Sequence, residues 1–442
     1  MGLYATIAAM TKVSFITLGC RANQAETAVL EDLFRDKGFV LADQDAPSDI
    51  AVINSCTVTG EADRATLKIM DRARRLNPAV RIALIGCLAQ VQKEKLLALE
   101  NVRWVVGTAR KMSLADIIRE DAADEDGSDA GRLIVAPIRR GPFSMPLTSS
   151  FGRRTRANLK IQDGCDNACA YCEVPFARGG GRSRVFSDVL AEARALVDAG
   201  YQEIVLTGIN LGAYAYESRT IVHIIRQMEK IKGLARIRIS SLEYAPWIGA
   251  LAGLMQPSHK LCRFLHIPVQ SGCDRILAHM GRAYTSSDVR VLLERIVRKV
   301  PGVMLGTDVI VGFPGESDSD FEQTCDFLES SPFHYFHVFS YSHRQRARSR
   351  SFKGAVPAEV IHARSLRLRA LSQKKRQAFL NSSIGSVGNA LFEQKKGRYW
   401  VGHLDNYVII KLLSEQSIRN RIIRVKLQEL DDGCVIAQED GG

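Results

Sequence analysis

Three short apolar runs near the start of the chain each lead into a cysteine: residues 13–17 to Cys20 (VSFITLGC), 50–54 to Cys56 (IAVINSC) and 81–86 to Cys87 (RIALIGC). Such runs predict strands, and the stretches after them (24–34, 61–76 and from Ala89 on) have helical spacing. Residues 102–106 predict a fourth strand. Apolar strands separated by helices predict an open parallel α/β sheet. A sheet of that kind gathers its strand-end loops on one edge, where such folds bind ligands. Three thiols distant in sequence are therefore expected to meet there. Gly19 and Gly86 would let backbone approach what they hold. The alternative is three buried core cysteines, since a free cysteine packs as a small hydrophobe.

A second set is local. Cys165, Cys169 and Cys172 form C-x3-C-x2-C in the loop after a strand expected over 157–162. Three thiolates this close can wrap one metal centre. A structural zinc takes four protein ligands, and no fourth Cys or His lies nearby. A four-iron cluster on three thiolates leaves one iron open, which amino and carboxylate groups of a small molecule can chelate. A zinc knuckle completed by a distant ligand is the alternative. Cys262, Cys273, Cys325 and Cys434 share no spacing, and ten cysteines in 442 residues are too sparse for a disulfide scaffold.

The middle of the chain alternates again. Strands are expected at 157–162, 203–207, 236–240, 264–267, 303–311 and 334–340, and helices at 187–199, 219–231, 247–256, 272–298 and 318–330. Six such units are too few for the eight-fold barrel and predict a partial (β/α)6 barrel. Residues 357–381 predict a helix, and short strands at 399–401, 407–412, 422–426 and 434–437 predict a small all-β barrel suited to RNA. The organisation expected is a front domain at 11–114, a linker at 115–152 that is acidic over 116–129 and has room for a short strand or two, a barrel domain at 153–377 and a β tail at 378–440. No apolar run reaches the roughly 18 residues of a membrane span, and the first ten residues do not read as a signal peptide.

The net charge is +12. Residues 343–376 carry eleven Lys and Arg and one acid, Glu359. Such a block predicts a polyanion partner, with a solvated basic helix face as the alternative. Arg344, Arg346 and Arg348 are its candidate RNA contacts, and Tyr399, Trp400 and Tyr407 could stack on bases or pack the small barrel's own core.

The second cysteine set, with Tyr171 before its last member, resembles the radical S-adenosylmethionine signature. With TLGCRANQAE, INSCTVTGEAD, IGCLAQ, DGCDNACAYCEVPFARG, EIVLTGINLGAY, ISSLE, LHIPVQSGCDRIL and TDVIVGFPGE, the chain from Lys12 onward resembles the methylthiotransferase family of radical S-adenosylmethionine enzymes. LGCRANQ, SCTVT and VLTGINLG are most similar to the branch acting on threonylcarbamoyl-adenosine in tRNA, and residues 378–438 are similar to the family's TRAM domain. The resemblance implies two 4Fe–4S clusters, one on Cys165, Cys169 and Cys172 and one on Cys20, Cys56 and Cys87. It implies S-adenosylmethionine contacts at Tyr171, Thr207, Gly208, Glu243, Gln270, Asp308 and Gly312. The implied reaction is methylthiolation of C2 of an adenine beside the anticodon, using two S-adenosylmethionine. The implied setting is cytoplasmic, with the tRNA anticodon loop, an electron donor such as a flavodoxin or ferredoxin, and a sulfur source as partners. Other substrates, isopentenyl-adenosine or a ribosomal-protein side chain, and a non-enzymatic zinc-dependent RNA binder are the alternatives. Three features depart from the family pattern: Glu173 after the last cluster cysteine, the loop GGGRSR, and HRQRARSRSFKG. His266, on an apolar strand, carries no ligand role in this reading.

Overall fold

The computed structural model describes residues 11–123, 131–152 and 154–441; the first ten residues, and 124–129 of the acidic stretch, lie outside them. Strands β1 (Lys12–Thr17), β2 (Val40–Ala42), β3 (Ile50–Ser55), β4 (Arg81–Gly86), β5 (Val102–Val106) and β6 (Arg132–Ile134) form one sheet in the order β2-β1-β3-β4-β5-β6. Every pairing in it is parallel. β3 is buried along its whole length, which explains its unbroken apolar run. Helix α1 (Arg21–Asp36) follows β1, α2 (Gly60–Leu76) follows β3, and α3 (Cys87–Gln92) follows β4. Separate apolar clusters pack the sheet, one around Phe34 and Trp104 and one around Met70 and Leu88.

The expected linker is partly wrong. Helix α4 (Leu114–Ala123) buries Leu114, Ala115, Ile117 and Ile118 in the Trp104 cluster; β6 is a short strand of the kind that segment allows for, and it adds a sixth strand to the sheet. The acids that suggested a linker lie on the outer face of α4 or follow it. Asp121, the exception, is largely covered and pairs with Arg103 of β5 at 2.9 Å.

The central strands are β7 (Arg156–Lys160), β8 (Glu203–Thr207), β9 (Arg236–Ile239), β10 (Phe264–His266), β11 (Met304–Val311) and β12 (Tyr335–Ser340). Two parallel ribbons, β9-β8-β7 and β10-β11-β12, meet through bridges at Ile237–Leu261 and Ser241–His266. The result is the expected partial barrel of six strands, with β7 and β12 facing each other across an open seam. The helical stretch expected at 272–298 is two helices, Asp274–His279 and Ser286–Lys299, broken where Gly281 takes φ +77°.

Helix α5 (Ala358–Ser383) then runs along β12, where the Ser372 hydroxyl accepts from the Phe336 amide at 2.8 Å. The tail is a closed five-stranded barrel: β13 (Val387–Lys396), β14 (Tyr399–Leu404), β15 (Ile409–Leu413), β16 (Ile422–Asp431) and β17 (Cys434–Glu439), in the order β13-β14-β15-β17-β16. β13 was not expected. Only Ala390, Leu391 and Phe392 of it are buried, so its apolar pattern is short. Two buried arginines hold the tail on the central strands: Arg236 donates to His403 O at 3.0 Å and Arg238 to Asp405 O at 2.6 Å. Glu203, fully buried, accepts from Arg238 at 2.6 Å, and these guanidiniums hold its carboxyl far below the usual range against the cost of burial.

Candidate active site

The ends of β1, β3 and β4 carry the first cysteine set. Cys20 is the exposed residue preceding α1, Cys56 follows β3, and Cys87 opens α3; the last two are buried. The glycines before Cys20 and Cys87 are required by packing. Gly19 (φ +88°) would put a Cβ 2.6 Å from that of Cys56, and Gly86 (φ +92°) would put one 2.6 Å from Asn54 Oδ1. Cys56 feels both of the other thiols, and Cys87 feels Cys20. Burial, then Cys87 and Cys20, push Cys56 up to about 12; burial also raises Cys87, and Arg178 opposes it.

Arg178 was not singled out in the sequence. It is fully buried and donates from Nε to Cys87 Sγ at 3.2 Å, and from Nη1 to Asp163 at 2.8 Å and Glu26 at 3.1 Å. Lys160 donates to Glu26 at 2.5 Å and to Asp163 at 2.7 Å, and Lys111 also pairs with Glu26. Two buried carboxylates thus face three buried cations, and the surplus positive charge lies against Cys87. Both carboxyls are held below their usual range because these cations outweigh burial.

The second set lies on the neighbouring loop. Next to Arg178, the Gly179 carbonyl accepts from the Cys165 amide at 3.1 Å. One short segment therefore touches both sets, Cys87 through a side chain and Cys165 through backbone. Burial, then the other two thiols of the set, push Cys172 up to about 12 despite a backbone N–H at its sulfur. Arg282, also missed, occupies the place here that Arg178 has in the first set. It donates to Cys169 Sγ at 3.4 Å and to Glu243 at 2.6 Å, and it lies over the rings of Tyr171 and Tyr284.

The expected cofactor contacts separate into groups. Tyr171 and Glu243 meet at Arg282 beside the second set. Thr207 ends β8 and Gly208 follows it, two residues before Asn210, whose amide reaches Cys165 Sγ at 3.8 Å. Gln270 (φ +72°) bonds by backbone to Asp308. The Gly312 and Phe313 amides donate to Glu316, and Gly312 packs on Ile361, so this is a capped turn.

A cavity of about 1200 Å³ fills the open seam of the barrel, bounded by the front domain, α5 and the tail. Cys20, Thr207, Gly208 and Asp308 are on its wall; the other expected contacts are not among its lining residues. Asp308 Oδ1 lies 2.9 Å from His266 Nε2 and 3.1 Å from His337 Nδ1, and Tyr335 OH lies 3.0 Å from His266 Nδ1. His266 thus belongs to the site. The sequence offered no signal for it, since its partners are distant in the chain.

One RNA-contact expectation is corrected. Arg344 is buried: it donates to Glu173 at 3.2 Å, Thr57 at 2.7 Å and Asp63 at 2.9 Å. Glu173 also accepts from the Arg346 amide at 2.8 Å. Two of the departures from the family pattern are therefore partners, tying the residue after Cys172 to the residue after Cys56. Trp400 is 7% exposed in the tail's own core, and the Tyr407 hydroxyl is held by Arg21 at 2.7 Å and Arg156 at 2.9 Å. Tyr399 stays half-buried beside Arg398.

Residues 12–107 match the family described as Uncharacterized protein family UPF0004, and 159–328 match the Radical SAM superfamily. The chain is 34% identical to the threonylcarbamoyladenosine tRNA methylthiotransferase MtaB of Bacillus subtilis, over 95% of this chain and 94% of the relative. It is 33% identical to the MtaB of Aquifex aeolicus (94% and 99%). The chain belongs to the methylthiotransferase family of radical S-adenosylmethionine enzymes. A tRNA-2-methylthio-N(6)-dimethylallyladenosine synthase of Cereibacter sphaeroides is 32% identical, over 94% and 95%. Among solved structures the fold is similar to the radical S-adenosylmethionine methyltransferase TsrM of Kitasatospora setae: TM-score 0.54, 16% identity, 75% of each chain.

Three sulfurs on one zinc ion at about 2.3 Å each lie roughly 3.8 Å apart. Among the described residues the only His, Cys, Asp and Glu trio with donor atoms within 4.8 Å of one another is His266, Asp308 and His337. In each thiol set at least one pair of sulfurs therefore lies more than 4.8 Å apart, wider than three ligands of one zinc ion. No helix of the described residues is long and apolar enough to cross a membrane.

Proposed function

We infer that the protein is a tRNA methylthiotransferase that places a methylthio group on C2 of N6-threonylcarbamoyl-adenosine beside the anticodon. One observation carries the reading: the segment Arg178–Gly179 contacts a sulfur of one thiol set and the backbone of the other. Cys20, Cys56 and Cys87 would hold one 4Fe–4S cluster, and Cys165, Cys169 and Cys172 the other. With S-adenosylmethionine bound, these groups supply the one-electron chemistry and the sulfur site that an unpolarised C–H bond demands.

The remaining work falls to the chain. Arg178 and Arg282 set positive charge against one sulfur of each set. Tyr171 and Glu243, which meet at Arg282 beside the second set, with Thr207 and Gly208 at the end of β8, are the contacts we assign to the methionine and nucleoside parts of the cofactor, with Gln270, Asp308 and Gly312 at other strand ends. The seam cavity has room for a nucleotide turned out of its loop, with Cys20 on the wall, and a base docked there would be held away from water. In this reading the front domain serves the first cluster, the central barrel the cofactor, and the tail, TRAM-like in sequence, the tRNA. A flavodoxin or ferredoxin as electron donor, a sulfur source and a cytoplasmic setting complete it. A zinc-dependent RNA binder is disfavoured by the spread of the thiols.

Nucleoside mass analysis of tRNA from cells with and without the gene tests the assignment. The expected result is loss of the methylthio derivative of threonylcarbamoyl-adenosine alone. Loss of the isopentenyl-type derivative instead, or an unchanged profile, would overturn it.

A further inference from the structure

The cavity wall is electrically unbalanced. It carries five arginines and two acids, and both acids are already engaged. Asp308 has His266 and His337, and Glu393 accepts from Thr155 at 2.7 Å and Arg156 at 2.9 Å. Arg21 and Arg154 have neutral acceptors, Tyr407 OH and Gln24 Oε1, both at 2.7 Å.

The other two arginines, Arg369 and Arg376 of α5, donate no hydrogen bond and pair with no carboxylate among the described residues. Their helical neighbours differ. Arg364 is paired with Glu316 and Asp318, Arg367 with Glu322 and Lys374 with Glu329; Lys375 donates to three carbonyls. The acids of the helix Asp318–Ser330 thus neutralise one side of α5. Arg369, Gln373 and Arg376 are spaced i, i+4, i+7, so they share a different face, and all three line the cavity that also holds Cys20.

Resting on the function proposed above, we propose that Arg369 and Arg376, with Gln373 between them, form the subsite for the carboxylate of the substrate's threonylcarbamoyl group, and so select it over the hydrocarbon side chain of dimethylallyl-adenosine. A threonylcarbamoyl group carries a carboxylate, a hydroxyl and a urea; a dimethylallyl group has no polar atom. A guanidinium matches a carboxylate with two parallel N–H donors, and Gln373 offers an amide to the neutral polar atoms. A phosphate of the anticodon loop presents the same anion chemistry, so the test must separate the two sources.

Three anticodon stem–loops of one sequence do so: one with threonylcarbamoyl-adenosine, one with its carboxylate capped as the amide, and one with isopentenyl-adenosine. Binding to the anaerobically reconstituted full chain is followed by fluorescence anisotropy against salt, and product by nucleoside mass analysis. Wild type is expected to prefer the acid loop over the capped loop by at least about tenfold, and Arg369→Gln with Arg376→Gln to bring that ratio close to one. A double variant that keeps the preference overturns the inference. So does one that loses affinity equally for all three loops with a salt slope lower by about two, which marks phosphate contacts. If wild type forms product on the isopentenyl loop and none on the acid loop, the functional reading fails, and this inference with it.

Discussion

Replacing Arg344 tests whether the chain locks its two cysteine-bearing loops to each other. Its side chain is 8% exposed and that of Glu173 is 1% exposed, and the pair joins the residue after Cys172 to Thr57, the residue after Cys56, and to Asp63 in the first turn of α2. Arg344→Met leaves the Glu173 carboxylate buried with only the Arg346 amide as donor. Stranding one member of a buried pair costs about 3–5 kcal/mol, because the desolvated charge is uncompensated. Glu173→Gln in the same background removes that charge and keeps an acceptor for the amide, so at least about 1.5 kcal/mol should return. A chain of several units is not a two-state system, so the readout is local. Native-state hydrogen exchange of amides in 57–63 and 172–178 should accelerate by at least about 100-fold in Arg344→Met, and by much less in the double variant. An acceleration under about fivefold would refute the reasoning. The salt slope of tRNA binding should not change, since a buried guanidinium releases no counterions; a lower slope would return Arg344 to the RNA interface.

Cys169→Ala should abolish S-adenosylmethionine cleavage, whereas Cys56→Ala should keep cleavage and lose the methylthio product; cleavage by the first, or product from the second, would contradict the assignment of the two sets. Burial, with Lys375 nearby, holds His334 down to about 4, so the unfolded chain takes up this proton first and stability falls as pH drops from about 6.5 to about 4. His334→Gln, which can still accept from the Leu305 amide, should flatten that fall by about 2–3 kcal/mol, read as the local opening free energy from native-state hydrogen exchange of amides in 303–311 and 334–340; an unchanged pH profile would contradict the burial argument.

The strands and both cysteine sets were legible for a common reason: burial forces unbroken apolar runs, and chemistry follows directly at their ends. β3, buried throughout, is the clearest instance. Helix α4 was hidden because seven acids over 116–129 outweigh its one apolar stripe, and β13 because only Ala390, Leu391 and Phe392 face inward. Arg178 and Arg282 were illegible because a lone arginine carries no periodicity, and their sulfur partners lie 91 and 113 residues away. Arg344 was misread because local charge density says nothing of a partner 171 residues distant. Of the two roles open to Trp400, core packing is the one it takes, since closure of the tail barrel puts its ring inside.

Iron and acid-labile sulfide counted in anaerobically purified wild type and two triple variants, with both contents read per chain, test the two-set account most directly. About eight of each are expected in wild type and about four in each variant, whether Cys20, Cys56 and Cys87 or Cys165, Cys169 and Cys172 are changed to Ala. A front-set variant that keeps the full wild-type content, or one or two zinc ions in place of iron, would contradict it.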